Sequence, residues 1–221
     1  MAATSVPEPT LRRLPRYYHY LKRIQGSGQE IISATQMAED LGIHHTQVRK
    51  DLAATGSQGK PKVGHRVEDL LVSIESFLNW NNFSEAFLVG VGNLGSALLG
   101  YTDFEKAGIR IVGAFDSSPA KVGRRVHGTL VLPMSQFEHQ AQEGRIAIGI
   151  ITAPADRAQQ IAEVMVRSGI QAIWNFAPIT LDVPQEIIVE NVELYASLAI
   201  FSRKLEERRK AKAQTQFAIH S

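Results

Sequence analysis

AFLVGVGNLGSALLG, residues 86–100, decides the fold. The apolar run from Ala86 to Val89 reads as a strand. It leads directly into Gly90-Val91-Gly92-Asn93-Leu94-Gly95, and the spacing from Leu94 to about Gly100 reads as the opening of a helix. Strand, glycine turn and helix in that order are what a phosphate-cradling G-x-G-x-x-G loop requires. Gly90 permits the tight turn, Gly92 lets a pyrophosphate approach backbone, and Gly95 lets the helix lie close on the strand. The helix start adds N–H donors without intrahelical partners and a partial positive charge. A second run, IRIVGAFD at 109–116, ends in Asp116, 21 residues after Gly95. An acid at that place accepts from the hydroxyls of an adenosine ribose, which favours NAD over NADP. With Asp116 present, Arg124 and Arg125 are not read as a clamp for a 2′-phosphate.

Three more β-rich runs follow, Ile146–Thr152, Ala172–Phe176 and Ile187–Val192, most of them separated by helical patterns. Near-continuous apolar strands alternating with helices imply a parallel sheet covered on both faces. The expectation is a Rossmann-like α/β domain over residues 81–193. Thr152, Ala153 and Pro154 at the end of the third run, and Asn175 and Phe176 at the end of the fourth, join the candidate cofactor contacts. About 110 residues hold the whole sheet and leave no separate substrate domain. Paired carboxylates, a Ser/His/Asp order and a Tyr-x-x-x-Lys constellation are all missing, so no catalytic residue is assigned. A dinucleotide site without catalytic groups is the site of a sensor.

Residues 1–10 are small, polar and Pro-rich and are expected to be a disordered arm. From Leu11 the apolar positions Leu14, Tyr17, Tyr18, Leu21 and Ile24 recur at helical spacing, with Pro15 in the first turn. Ser33 and Gln36 form a capping box before a short second helix, and Gly42 suits its left-handed end. Thr46 opens a third helix that carries Gln47, Arg49 and Lys50 on its exposed face. A basic loop, Gly59–His65, then brings Lys60 and Lys62. Three helices with a sharp turn between the second and third, then a Gly/Lys loop, are the order of a winged helix-turn-helix. Side chains such as Gln, Arg and Lys suit base edges and phosphates. A generic three-helix oligomerisation module is the alternative for this segment. A further amphipathic helix, Glu68–Trp80, is read as the linker that completes an 11–80 domain.

Net charge is only +2, but it is unevenly spread. Residues 1–66 carry ten Lys/Arg against five Asp/Glu, residues 67–202 carry eight against fifteen, and residues 203–221 carry six against two. A basic module on an acidic domain suggests different partners, the first polyanionic. There is no cysteine, which excludes disulfides, thiolate metal sites and cysteine nucleophiles. His44-His45 is not read as a metal pair, because neighbouring helix residues diverge and no acid accompanies them. The N-terminus lacks an apolar secretory stretch and no apolar run reaches the ~18 residues of a membrane span, so a soluble cytoplasmic protein is expected.

Arg13-Leu14-Pro15-x-Tyr17-Tyr18, Gln47-Val-Arg-Lys-Asp51-Leu52, Gly90-Val-Gly-Asn-Leu-Gly-Ser-Ala97, Asn175-Phe-Ala-Pro178 and Glu190-Asn-Val192 closely resemble, in order, the Rex family of redox-sensing transcriptional repressors. The resemblance runs from about Leu11 to Phe201. It implies a homodimer whose C-terminal helix, here 194–212, swaps onto the partner, operator DNA bound through the winged helix, and release from DNA by NADH in competition with NAD⁺. It adds Arg13 and Tyr18 to Thr46, Gln47, Arg49, Lys50, Lys60 and Lys62 as DNA contacts, and places Tyr101 near the nicotinamide. It also makes His19, Tyr101 and Glu193 the switch group, in which the acid exchanges a tyrosine bond for an N-terminal arginine. Here His19 stands where the family commonly has arginine and Glu193 where it usually has aspartate. The alternative function is a small NAD-dependent oxidoreductase, or a CoA-binding Rossmann protein, with a basic N-terminal dimerisation module.

Overall fold

The computed structural model describes residues 6–60 and 63–218, and the chain divides into two compact units. The first takes in the residues up to Phe83 together with Lys106–Gly108, and the second takes in Ser84–Glu105 and the chain from Ile109 onward.

The first unit opens with α1, Glu8–Gly26. It starts earlier than expected: Pro7 is its N-cap, and Thr10 is buried with its hydroxyl on Asp51, so residues 8–10 belong to the fold and not to an arm. Residues 1–5 lie outside the described residues. The early start places Pro15 inside the helix, not in its first turn. The missing hydrogen bond is tolerated because one face of α1, with Leu14, Tyr17, Leu21 and Ile24, is buried in the core. The short strand β1, Ile31–Ile32, leads to α2, Ala34–Leu41. Ser33 Oγ accepts from the Gln36 amide at 3.0 Å, whereas the Gln36 side chain accepts from Gln29, so only half of the capping box forms. Gly42, at φ 63°, ends the helix in the left-handed region that a side chain would resist. The third helix, α3, spans His45–Ala54, with His44 and not a later residue as its N-cap. The chain then forms a Lys60–Gly64 bridge and β2, His65–Arg66, antiparallel to β1. Helix α4, Val67–Phe77, buries Leu70, Leu71 and Ile74 against α1. It is a core element of this unit, not a linker. This is a winged helix: four helices with a small β wing.

The second unit is built on a seven-stranded sheet. Its strands are β3 (Ser84–Val89), β4 (Ile109–Asp116), β5 (Arg125–Val126), β6 (Thr129–Pro133), β7 (Ile148–Ile151), β8 (Ala172–Asn175) and β9 (Ile188–Asn191), in the order β5-β6-β4-β3-β7-β8-β9. All neighbours are parallel except β5 and β6, a hairpin that the apolar pattern did not announce. The helices are α5 (Asn93–Leu99), the short α6 (Asp103–Lys106), α7 (Phe137–Gly144), α8 (Ala155–Arg167) and α9 (Leu194–Ala218). Phe87, Phe115 and Phe137 meet ring to ring in the core on one face, and Ala86, Leu88, Ala114 and Ile150 fill the other. From β3 the chain winds outward to β4 and β6, then returns to the opposite side through β7, β8 and β9. The carboxyl ends of β3 and β7 therefore flank the point where the winding reverses, where open α/β sheets leave a crevice for a ligand.

Candidate functional site

At that crevice lies a cavity of about 800 Å³. Its floor is Val89, Gly90 and Gly92, one wall is Asp116 to Ser118 with Lys121, and the other runs from Thr152 into α8. The loop geometry explains its glycines. A Cβ on Gly90, which sits at φ 103°, would meet the Ala153 amide nitrogen at 2.7 Å. A Cβ on Gly95 would meet the Gly90 carbonyl oxygen at 2.1 Å, so only glycine lets α5 lie on the strand. Gly92 differs: no atom lies within 4 Å of where its Cβ would be, and the residue faces the cavity. Thr152 locks the loop from the neighbouring strand, its hydroxyl bonding the Gly90 carbonyl at 2.7 Å.

Asp116 is the most heavily engaged group in the site. Its Oδ2 accepts from the Val91 amide at 2.8 Å and from Lys121 Nζ at 2.9 Å, and Oδ1 accepts from the Ser118 amide at 2.8 Å. Burial pushes this carboxyl up, but the bonds from Lys121 and the two amides outweigh it and hold it below the usual carboxylate range. Expected to accept from a ribose, Asp116 does lie in the cavity wall, with three of its roughly four acceptor positions taken by the glycine loop and the turn that follows it.

Of the other residues read as cofactor contacts, Ala153 and Pro154 line the cavity with Thr152. Asn93 and Leu94 are exposed at the start of α5, and Val91 is buried beneath the loop. Asn175 is not at the cavity. It is fully buried, donates to the carbonyls of Ala177 and Ile179 and to Asn191 Oδ1, and accepts from the Ala177 amide, so it builds the turn after β8. Tyr101 and Phe176 also lie outside the cavity lining. They end a ladder of rings, Tyr101 to Phe104 to Trp174 to Phe176, with centroid separations of 4.9, 5.3 and 4.8 Å. Phe176 and Glu193 line a second cavity of about 330 Å³. Sequence reading missed Lys121 and the α8 face Arg157, Gln160, Ile161 and Val164. The 3–4 spacing of that face was visible, but nothing local showed which way it points.

In the first unit, Thr46, Arg49 and Lys50 are exposed on α3, and Lys60 is exposed in the wing. Lys62 lies outside the described residues. Arg13 and Tyr18, expected on DNA, turn inward. Arg13 forms a two-pronged pair with Asp51, Nε to Oδ2 at 2.6 Å and Nη2 to Oδ1 at 2.9 Å, while the Tyr18 hydroxyl bonds Glu75 at 2.7 Å. Asp51 also accepts from Thr10, Tyr17 and Gln47, so Gln47 is half-buried and already engaged. Burial alone would raise the Asp51 carboxyl; the bonds led by Arg13 lower it overall. Burial and the Glu75 bond push the Tyr18 phenol up to about 12. His44 and His45 do face each other, rings stacked at 4.6 Å, because His44 stands outside the helix as its cap with Nδ1 accepting from the Thr46 amide. His19 is exposed on α1, edge-on to the Tyr18 ring. Among the described residues no helix is long and apolar enough to cross a membrane, and no group of three or more His, Asp or Glu side chains is placed to hold a metal ion.

Comparison with known proteins agrees with this division. A family profile described as "Putative DNA-binding protein N-terminus" matches residues 5–53, and one described as "CoA binding domain" matches residues 81–179. The redox-sensing transcriptional repressor Rex of Treponema denticola is 43% identical over 90% of this chain and 96% of its own. The crystal structure of the repressor RSP with β-NAD⁺ and operator DNA superposes with a TM-score of 0.87 at 37% identity, covering 96% of this chain and 98% of that one. RSP in complex with β-NADH gives a TM-score of 0.85 at 37% identity, covering 95% and 99%.

Proposed function

The chain belongs to the Rex family of redox-sensing transcriptional repressors, and from that we propose that it holds operator DNA when NADH is scarce and leaves it when NADH fills the cavity of the second unit. The observation that carries this reading is the pairing, in one chain, of an exposed helix in a winged helix with a cavity at the reversal point of a parallel sheet. The similar repressor RSP has been solved with both kinds of ligand.

In this reading α3 enters the major groove, with Arg49 and Thr46 toward base edges, Lys50 on phosphate and Lys60 of the wing on the flanking backbone. The pyrophosphate lies over Gly92, whose missing side chain leaves the space, and the adenosine lies between Ser117 and the apolar face of α8. The nicotinamide points toward the Tyr101–Phe176 ladder. NAD⁺ and NADH share the pyrophosphate and adenosine contacts, so discrimination falls on the nicotinamide, which is cationic only when oxidised. Burying a cation among apolar groups without a counter-charge is costly, which favours NADH. The dinucleotide then shifts the protein only by its different affinity for two states. No reaction is assigned: Asp116, the carboxylate in the cavity wall, is bonded to three donors and unsuited to act as a base.

The acting form is a homodimer joined through α9. Leu194, Leu198, Phe201 and Leu205 repeat along one side of that helix and are 40–65% exposed in the single chain. Such a stripe is what a second copy would cover. The protein acts where the operator is, in the cytoplasm. The test is a titration of a fluorescent operator duplex bound to the protein with NADH and, separately, with NAD⁺. Release should occur at far lower NADH than NAD⁺. Equal midpoints, or no release by either, would remove the sensing role.

A further inference from the structure

Two residues of the second unit, His127 and Gly100, are not accounted for by their own backbones. Arg125 pairs with Leu130 and Val126 with Thr129, which leaves His127-Gly128 as the two-residue turn between β5 and β6. Both turn residues have positive φ, 48° at His127 and 86° at Gly128, the pattern of a type I′ turn. Such a turn favours Asn, Asp or Gly first, so the turn alone gives no reason for a ring. Gly100, at the end of α5, is the converse case. Its φ of −86° and ψ of −4° are right-handed and open to any side chain. A Cβ on Gly100 would nonetheless meet three atoms of the His127 ring, Cε1 at 2.8 Å and Nδ1 and Nε2 at 2.9 Å. The imidazole lies over the Gly100 α-carbon. Each residue accounts for the other: the glycine leaves the space and the ring fills it.

What this contact holds is the start of the ring ladder. The Gly100 and Tyr101 amides donate to the carbonyls of Ser96 and Leu98, at 3.3 and 3.1 Å, so both residues close the last turn of α5. Tyr101 follows Gly100 directly and meets Phe104 edge-on, the first step toward Trp174 and Phe176. Tyr101 is 54% exposed, so its own burial holds it weakly. Helix α5 starts at the glycine loop, and only its seven residues separate that loop from the Gly100–Tyr101 corner.

We propose that His127 is a positioning residue for cofactor recognition: its ring clasps the end of α5 and so sets where Tyr101 and the ladder stand against the nicotinamide. The inference rests on the reading of the glycine-loop cavity as the dinucleotide site, with the nicotinamide toward the ladder. His127 lies outside the cavity lining and acts through Tyr101, not on the cofactor. Its influence falls on the end where NAD⁺ and NADH differ, and not on the pyrophosphate or adenosine they share.

The experiment titrates the full-length protein by calorimetry with NADH, NAD⁺ and ADP-ribose, the last carrying the pyrophosphate and adenosine but no nicotinamide. The readout is the ratio of the NAD⁺ to the NADH dissociation constant. His127→Gly keeps the positive φ and removes the ring. It should lower that ratio by roughly three- to tenfold, mainly by weakening NADH, and leave ADP-ribose within about twofold of wild type. Gly100→Ala puts a methyl group where the ring lies and should lower the ratio in the same way. Once the ring is gone the methyl displaces nothing, so Gly100→Ala in the His127→Gly background should change the ratio by less than about twofold. A ratio unchanged in His127→Gly would overturn the inference, and so would an equal loss for NADH and ADP-ribose, which would make the clasp a structural contact only. Additive effects of the two replacements would show that their contact is not the cause and would overturn it as well. Binding of none of the three ligands by wild type would overturn the cavity reading together with the inference built on it.

Discussion

Replacing Asp51 by asparagine tests how α3 is held. The carboxylate is 1% exposed and accepts five hydrogen bonds from four side chains, Thr10, Arg13, Tyr17 and Gln47. Three of these partners come from α1, so the carboxylate ties that helix to the one proposed to read DNA. Asparagine keeps one acceptor oxygen, turns an NH₂ toward groups that are themselves donors, and strips Arg13 of its counter-charge. Breaking a buried pair by removing one partner costs about 3–5 kcal/mol. The Arg13 side chain is 24% exposed and regains some water, so the lower end applies, about 3 kcal/mol. In a unit of this size 1 kcal/mol moves Tm by roughly 4–8 °C, which gives a fall of roughly 12–24 °C. The pH dependence has a definite sign. The folded carboxyl is held below its ordinary value, so its stabilisation is complete above the unfolded value of about 3.9 and is lost as pH falls through the folded value. Between pH 7 and 5 this contribution should not change, and its loss belongs below about pH 4. The assay is thermal unfolding of the full chain at pH 7, 5 and 3.5 in a Trp174→Phe background. Trp80, edge-on to Tyr18 in the same unit, then reports alone. Asp51→Asn should lower Tm at pH 7 and flatten the acid loss, and NADH affinity should not move. A variant melting within roughly 1 kcal/mol of wild type at pH 7 would refute the view that this carboxylate holds the two helices together.

Gly92→Val should abolish NADH-driven release with little change in Tm or in operator affinity, because a Cβ there has no protein atom within 4 Å and the residue lines the cavity; release at the wild-type NADH concentration would show that the pyrophosphate lies elsewhere. Lys50→Ala should weaken operator binding uniformly across sequences and reduce the salt slope by about 1, whereas Arg49→Ala, if it reads a guanine, should cost about 1–3 kcal/mol and relax a single operator position. Unchanged operator affinity in both variants would remove α3 from the DNA interface. If His19 pairs with Glu193 in one redox state only, His19→Ala should shift the NADH midpoint for release while leaving Tm unchanged, since the side chain is exposed on α1; a midpoint equal to that of wild type removes His19 from the switch.

Local signals in the sequence were legible and non-local ones were not. Strands β3, β4, β7 and β8 are evident as apolar runs, because a parallel strand covered on both faces has no polar side, whereas β9, an exposed edge strand, shows only through its β-branched Ile187-Ile188-Val189. The hairpin β5–β6 escapes this rule: Arg125–Val126 is only two residues long, and Thr129–Pro133 is half-covered. The Ser33 cap and the turn at Gly42 are equally local, set within three or four residues. Arg13 and Tyr18 resemble DNA contacts as long as their partners are unknown, and those partners are 38 and 57 residues away. The same limit governs the cofactor site. Spacing after the glycine loop correctly places Asp116 at the tip of its strand, since motif geometry is a property of backbone. What the carboxylate does there depends on an amide 25 residues earlier and on a lysine one turn later, neither of which is part of the motif. The place of the acid follows from the motif, but the three bonds that fix its carboxylate come from the wider fold, so a glycine fingerprint followed by an acid locates a dinucleotide site without describing how its wall is held.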